Sequence, residues 1–416
     1  MRRAPSFRLL FLATLGSGLG TWLALVALQI DVLHRTHSPA WISALLVSEF
    51  VPMLAIGLVA GPLVDRLPRR QLLIGADLVR FAVFCALPFA DSATMIVALA
   101  AIAGIAAGVF RPALYAGLPN LVEDRELATA NSLLQTIENV TWTAGSLVGG
   151  ALVAARGPHL AYWLNAATFL VSAALLSGIP QRLFQVAPAV TRGHWRDLKD
   201  GAALVRGSLP LMTVLVAWNI TMLANAAVNV AEPFLATDSF SAGSFGLGLL
   251  MAGAGVGLAL GSLLAGAWVE TRGLRNVYGA SLALMALGTG IAATAPNVWV
   301  AAACVVLSGA GNGSAVVCNA LFVQRGAPDH LRGRAFTLIM SSNFALLIGG
   351  MIVAGKLTDL VGPRWMWGGA AALSAVATVA GFALANRTAK AEQAAAEPEP
   401  IPAAEAPAKP TRQRAL

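Results

Sequence analysis

Glu49, Glu138, Asp31 and Glu232 stand inside long apolar runs, where an ionisable group is expensive enough to be read for chemistry first. Glu49 lies about nine residues, or roughly 14 Å, into its run at 1.5 Å per residue. Glu138 sits about eight residues into the run that opens near Ala130, counted at the same rise. At such depth each acid is a candidate proton carrier, because taking up a proton removes a buried charge and changes which helix arrangement is favoured. A purely structural role weighs equally for both. Asp31 and Glu232 lie near the far ends of their runs, where water is expected to reach them, and they are the weaker proton-coupling candidates. Arg111 precedes Pro112 and can hold a carboxylate, attract an anion, or snorkel to the nearer surface. Arg80 lies one turn beyond Asp77 and is expected to pair with it at i, i+3. Trp22, Gln29, Asn139, Trp142, Trp218, Asn219, Asn225, Asn229, Asn319 and Asn343 are candidates to line a cavity between helices. Any single Trp also suits a bilayer interface. His34, His37, His159, His194 and His330 are too scattered to ligate a metal, and no nucleophile elbow or phosphate-binding Gly-Lys loop occurs. No cofactor and no enzymatic activity are expected.

The elements that must position these groups follow from composition. Of 416 residues, 57% are apolar, and 41 glycines bring the total to about two-thirds, against about half in a soluble domain. Only 12% are charged, roughly half the usual share. A water-soluble exterior cannot be built from that ratio. A membrane-spanning helix needs about 20 apolar residues, so the chain is long enough for twelve. Apolar runs broken by charge, Gly and Pro fall near 9–32, 40–64, 71–90, 93–115, 130–155, 160–179, 209–235, 245–269, 277–294, 298–322, 333–357 and 365–385. The first is of full span length and lacks a small-residue cleavage site, so it reads as a span and not a leader. The net charge of +8 lies between the runs, as topology charges do, and not in a nucleic-acid footprint. With the N-terminus inside, 22 of the 28 Lys and Arg fall on the cytoplasmic side, so both termini are expected there. Cys85, Cys304 and Cys318 lie in apolar runs and show no disulfide framework.

The chain reads as two halves. The expected organisation is a six-helix bundle at 1–180, a basic cytoplasmic linker at 181–208, a second six-helix bundle at 209–387, and a disordered Ala/Pro-rich cytoplasmic tail at 388–416. Gly61-Pro62-Leu63-Val64-Asp65-Arg66-Leu67-Pro68-Arg69-Arg70 follows the second span, and Gly266 to Arg275 follows the eighth at an offset of 205. Glu123-Asp124-Arg125 and Pro328-Asp329-His330 share that offset, and Gly145 matches Gly349 at 204. Two similar bundles enclosing a cavity that rocking opens to either side is the physical reading of such a repeat.

These residues resemble the major facilitator superfamily over nearly the whole chain except the tail. Gly61 to Arg70 with Gln71-Leu72-Leu73 is similar to that superfamily's loop motif between spans two and three, with Pro68 where Gly is common. The resemblance implies a conformational latch of Gly61, Asp65, Arg66, Arg69 and Arg70, with Asp77 as a partner for the basic pair. Plain topology charges are the alternative for the arginines. Thr141-x-x-x-Gly145-Ser146-Leu147-Val148-Gly149-Gly150 is similar to a Gly-Pro-x-x-Gly-Gly stretch of proton-driven exporters, with Ser146 in place of Pro. It implies that Gly145, Ser146, Gly149 and Gly150 let the fifth span bend; close packing is the alternative. Gln324-Arg325, Pro328-Asp329 and Leu331-Arg332-Gly333-Arg334, with Ala130-Asn131-Ser132, are similar to a bacterial branch of macrolide-efflux and enterobactin-exporter-like proteins. Ser17 and Asn165 stand where that branch often has Asp.

The fold expected is therefore an all-α membrane protein, twelve transmembrane helices in two pseudo-symmetric six-helix bundles, in the bacterial inner membrane. The resemblance implies a proton-coupled exporter of hydrophobic small molecules such as drugs, siderophores or secondary metabolites. The alternative is an uncoupled or proton-symport facilitator that imports a nutrient or flips a lysolipid. The partners expected are the lipid bilayer, a small hydrophobic substrate and protons, with no nucleic acid and a single copy sufficing.

Overall fold

The computed structural model describes residues 5–59, 67–184, 202–328 and 331–396. Twelve long helices fill the described residues. The first half holds α1 (Pro5–Thr36), α2 (Pro39–Val59), α3 (Arg69–Ala86), α4 (Ala93–Gly117), α5 (Leu127–Arg156) and α6 (Pro158–Ser177). The second holds α7 (Leu209–Phe234), α8 (Gly243–Arg272), α9 (Leu274–Thr294), α10 (Val298–Gly326), α11 (Arg332–Val361) and α12 (Pro363–Ala396). Most helices extend a few residues beyond their apolar runs, because backbone hydrogen bonding continues after the hydrocarbon ends. At α12 the difference is larger. The helix runs on to Ala396, through part of the segment expected to be disordered, since Ala, Lys, Glu and Gln there are strong helix formers. The rest of that tail lies outside the described residues, as does most of the linker.

Eleven of the twelve are long and apolar enough to cross a membrane, and α5 is the exception. Its first half carries Asn131, Ser132, Gln135, Thr136, Glu138 and Asn139, which dilute the apolar content that the composition of a span demands. A helix this polar must face something other than lipid.

The repeat is visible as packing. In the first half α1 packs on α5 and α6, α2 on α4, and α3 on α4 and α6. In the second, α7 packs on α11 and α12, α8 on α10, and α9 on α10 and α12, the same scheme six helices later. The match extends to single contacts. Gly104 lets α4 approach the Glu49 carbonyl and Gly108 the Met53 carbonyl, while Gly309 and Gly313 do the same for Ala254 and Leu258, each at the offset of 205. Gly157 and Gly362, again 205 apart, take positive φ of 76° and 83° where α5 turns into α6 and α11 into α12, each ahead of a proline at helix position one. One sequence landmark shifts. Gly350, not Gly349, packs on the seventh helix, against Leu223 and Ala226, as Gly145 packs on α1 against Leu19 and Trp22, so the offset there is also 205. Gly349 faces open space.

Both chain ends of each half lie on one face, the terminal face. Near the opposite, distal face a single buried core joins the halves, from Leu23 through Leu46 to Val230, Leu250 and Trp367. Toward the terminal face that core divides in two. Leu10, Phe110 and Leu134 belong to a cluster of the first half alone, and Val214, Tyr278 and Phe322 to one of the second. The bundles are thus joined at the distal end and separate toward the termini.

Candidate functional site

The join is made by small residues on two seams, α5 on α8 and α11 on α2. On α5, Gly145 and Gly149 lie against α1, at the carbonyls of Leu19 and Leu23, while Ser146 and Gly150 lie against α8. A Cβ added at Gly150 would stand 2.6 Å from the Ser244 carbonyl oxygen and 2.9 Å from the Gly248 Cα. The stretch that the resemblance implies to be a bend is, in this arrangement, part of an unbroken helix and serves close approach on two sides. At the second seam the Ser43 hydroxyl donates to the Met351 carbonyl at 2.6 Å, and Gly355 lies over Ala40 and Ser43.

Just on the terminal side of this join lies a cavity of about 400 Å³. Its walls come from α1 to α6, with Phe344 of α11 the contribution from the other half. Apolar rings dominate: Trp22, Phe50, Phe84, Phe110, Phe169 and Phe344. Hydroxyls of Thr14, Ser17, Thr21 and Thr141 interleave them, and Glu49, Arg80, Arg111 and Glu138 supply charge. A mostly apolar concavity with a few convergent polar groups is the usual form of a small-molecule site.

Three of the four charges are compensated. Arg111 Nη2 donates to Glu138 Oε1 at 2.7 Å, and the Tyr115 hydroxyl donates to the same oxygen at 3.3 Å. Arg111 is half exposed, as befits a group where the bundles have parted. Arg80 pairs with Asp77 at i, i+3, as its spacing leads one to expect, and Asp77 accepts a second bond from the Ser172 hydroxyl at 2.6 Å. Glu49 is the odd charge. It has no hydrogen bond or ion pair among the described residues. Its own helix cannot help it, since α2 carries no other ionisable residue.

The remaining candidates scatter. Gly61, Asp65 and Arg66 lie outside the described residues. Arg69 donates to the Ala116 carbonyl at 2.8 Å and Arg70 to those of Leu176 and Ser177, so each caps the terminal-face end of a helix, α4 or α6. Asp77, suggested as their partner, is taken by Arg80 and Ser172 instead, a full turn or more deeper. Asp31 is not in water as expected: it is buried, paired with Arg35 at 2.7 Å and accepting from Tyr162 at 2.9 Å, and it ties α1 to α6. Glu232 is likewise buried, in the distal join, because Phe234, Leu235 and the seventh helix's neighbours cover what looked like a span end. Trp22 lines the cavity and stacks on Trp142, ring centroids 5.5 Å apart. Gln29 is buried near the distal face, and Trp218 belongs to the terminal-side core of the second half. Asn219 accepts from Ser342 at 3.2 Å, and Asn343 is buried. These four, with Asn139, Asn225, Asn229 and Asn319, do not line the cavity. Sequence reading missed the rings of Phe50, Phe84, Phe110, Phe169 and Phe344, whose only signal is an aromatic at each of five unrelated helix positions. No group of His, Cys, Asp and Glu among the described residues is arranged to hold a metal.

Two six-helix bundles related by a repeat, joined at one face, parted toward the other and holding a cavity beside the join, define a transporter of the major facilitator fold. The bacterial homologue of the iron transporter ferroportin, crystallised in an inward-facing state, has the same fold: TM-score 0.73 at 17% identity, covering 92% of this chain and 99% of that one. The sequence profile of the transmembrane secretion effector family matches residues 2–414, and the chain belongs to that family. It is 26% identical over 378 residues to the multidrug efflux pump Tap of Mycobacterium tuberculosis, covering 86% of this chain and 88% of Tap. It is 22% identical over 355 residues to macrolide efflux protein A of Streptococcus pyogenes, covering 81% and 85%. The chain is a multi-pass membrane transporter, not an enzyme.

Proposed function

We propose that this transporter exports hydrophobic small molecules, such as drugs, siderophores or secondary metabolites, in exchange for protons, with both termini in the bacterial cytoplasm. The distribution of Lys and Arg supports that orientation. The bundles are then parted on the cytoplasmic side in this arrangement, where an exporter must load. The two relatives named as efflux pumps support the direction of transport.

The observation that carries the coupling is Glu49, a carboxyl without a charge partner in a wall whose other charges are matched. With Glu49 ionised the cavity bears one net negative charge; with a proton on it, none. Closing the cavity on an unmatched charge strips its water at high cost, whereas closing on a neutral acid does not. Protonation therefore favours one arrangement over the other, and a proton gradient can drive the cycle. Glu138 is less suited, since Arg111 of the same half pairs with it, and Asp31 is spent on Arg35 and Tyr162. Glu232 is a second carboxyl without a partner among the described residues, in the distal join that must part when the cavity opens the other way. Asp65 with Gly61, Arg66, Arg69 and Arg70 is read as a latch for the terminal face, a reading supported by the bonds of Arg69 and Arg70 to the terminal-face ends of α4 and α6.

The test is flux in vesicles of the purified chain under an imposed pH gradient, with and without a protonophore, using an ethidium probe. Gradient-driven movement that the protonophore abolishes, and that Glu49→Gln abolishes while leaving probe binding intact, is the expected result. Undiminished gradient-driven flux in Glu49→Gln would remove Glu49 from the mechanism.

A further inference from the structure

A buried Arg–Asp pair needs a reason, because two well-packed apolar side chains of similar volume usually serve a fold as well or better. Here the molecule contains its own control. At the offset of 205, Asp77 and Arg80 of α3 correspond to Leu282 and Met285 of α9, and both of those are buried in the second half's helix packing. The same scheme of helices is built there with apolar side chains at both positions.

The pair is also part of a larger unit. The Arg80 guanidinium lies between two rings, 4.5 Å from the Phe110 centroid and 4.3 Å from that of Phe169, and Ser172 fixes the far oxygen of Asp77. The corresponding residues of the second half are Ala315, Ser374 and Ala377, so the whole assembly is missing from it. Arg80 uses Nη2 on Asp77, its Nε is buried without a hydrogen-bond partner, and the side chain reaches the cavity wall. Packed against two rings and bonded to Asp77, the guanidinium is held in place with its Nε donor unpartnered among the described residues.

We propose that Arg80 is a substrate-positioning donor that binds a neutral carbonyl oxygen, of an ester, lactone or amide, on the transported molecule. This rests on the cavity being the transport site. The pair with Asp77 is already neutral, so an uncharged acceptor satisfies the spare donors without importing charge, whereas a carboxylate would compete with Asp77. The aromatic walls take the hydrophobic body of the same molecule.

The experiment uses the full chain in lipid nanodiscs and two probes of nearly equal shape: tetracaine, an aryl ester, and its ether analogue with a methylene in place of the carbonyl. Binding is read from quenching of tryptophan fluorescence, Trp22 being in the wall. The native protein should bind the ester about ten-fold more tightly than the ether, the scale of a hydrogen bond from a charged donor. Asp77→Leu combined with Arg80→Met installs the residues the second half already packs, and should bind both probes equally, as the native protein binds the ether. Equal affinities in the native protein, or a preference that survives in the folded double variant, would overturn the assignment. If the double variant does not fold, the native preference alone decides. Ester preference without any proton-driven flux would sink the exporter reading and leave this one standing.

Discussion

The two halves of this transporter share a backbone plan and differ in what they put inside it. The glycine contacts recur residue for residue: Gly104 on Glu49 and Gly108 on Met53 in the first half, Gly309 on Ala254 and Gly313 on Leu258 in the second. The charges do not recur. Glu49, Asp77, Arg80, Arg111 and Glu138 correspond to Ala254, Leu282, Met285, Val316 and Asn343. Packing sets the repeat, because helix approach at backbone distance tolerates only small residues, whichever half they are in. Chemistry breaks it, because one set of ionisable groups suffices for a single central cavity and a second set would only add desolvation cost. The second half contributes Phe344 to the cavity lining.

The account can be broken most sharply at Glu49. Glu49→Gln should take gradient-driven flux to the protein-free background, and placing the acid on the matching position of the other half, Glu49→Gln with Ala254→Glu, should not restore it; recovery would mean that the halves are interchangeable. Next in size is the buried pair. Asp77→Asn leaves Arg80 without its counter-charge and should cost about 3–5 kcal/mol in mixed-micelle unfolding, while the Leu/Met double variant costs little or stabilises. If the single and double variants lose equally, the pair is structural after all. The glycines should behave alike in both halves: Gly104→Val and Gly309→Val each push a side chain onto a backbone carbonyl and should cost about 1–3 kcal/mol. A loss confined to one half would show that the repeat is no longer a packing constraint. Smallest is Arg111→Gln, whose half-exposed pair with Glu138 should change stability by no more than about 1 kcal/mol.

Much of this was legible before any coordinates. Apolar run length gives the helices, eleven of them apolar enough to span, since the bilayer sets that length, and the loop landmarks give the two halves and their offset. Asp77 with Arg80 was legible too, because helix geometry alone brings residues three apart together. Contacts between helices were not. Arg111 meets Glu138 from 27 residues away and Asp31 meets Tyr162 from 131, and nothing local encodes either. Span ends misled for Asp31 and Glu232, because neighbouring helices, not distance from the run's centre, decide what water reaches. Gly349 and Gly350 are adjacent and chemically identical, so only the packing of α11 on α7 chooses between them.

In the proposed cycle, protonation of one acid in the first half decides which end of the molecule is closed. Spin labels at Asn131→Cys and Phe336→Cys, matching positions on the terminal-side turns of α5 and α11, report the separation of the halves in nanodiscs by double electron–electron resonance. The distance distribution of the otherwise native protein should shift between acidic and alkaline pH, and Glu49→Gln should hold it at the acidic position throughout. A pH-driven shift of undiminished size in Glu49→Gln would contradict the account.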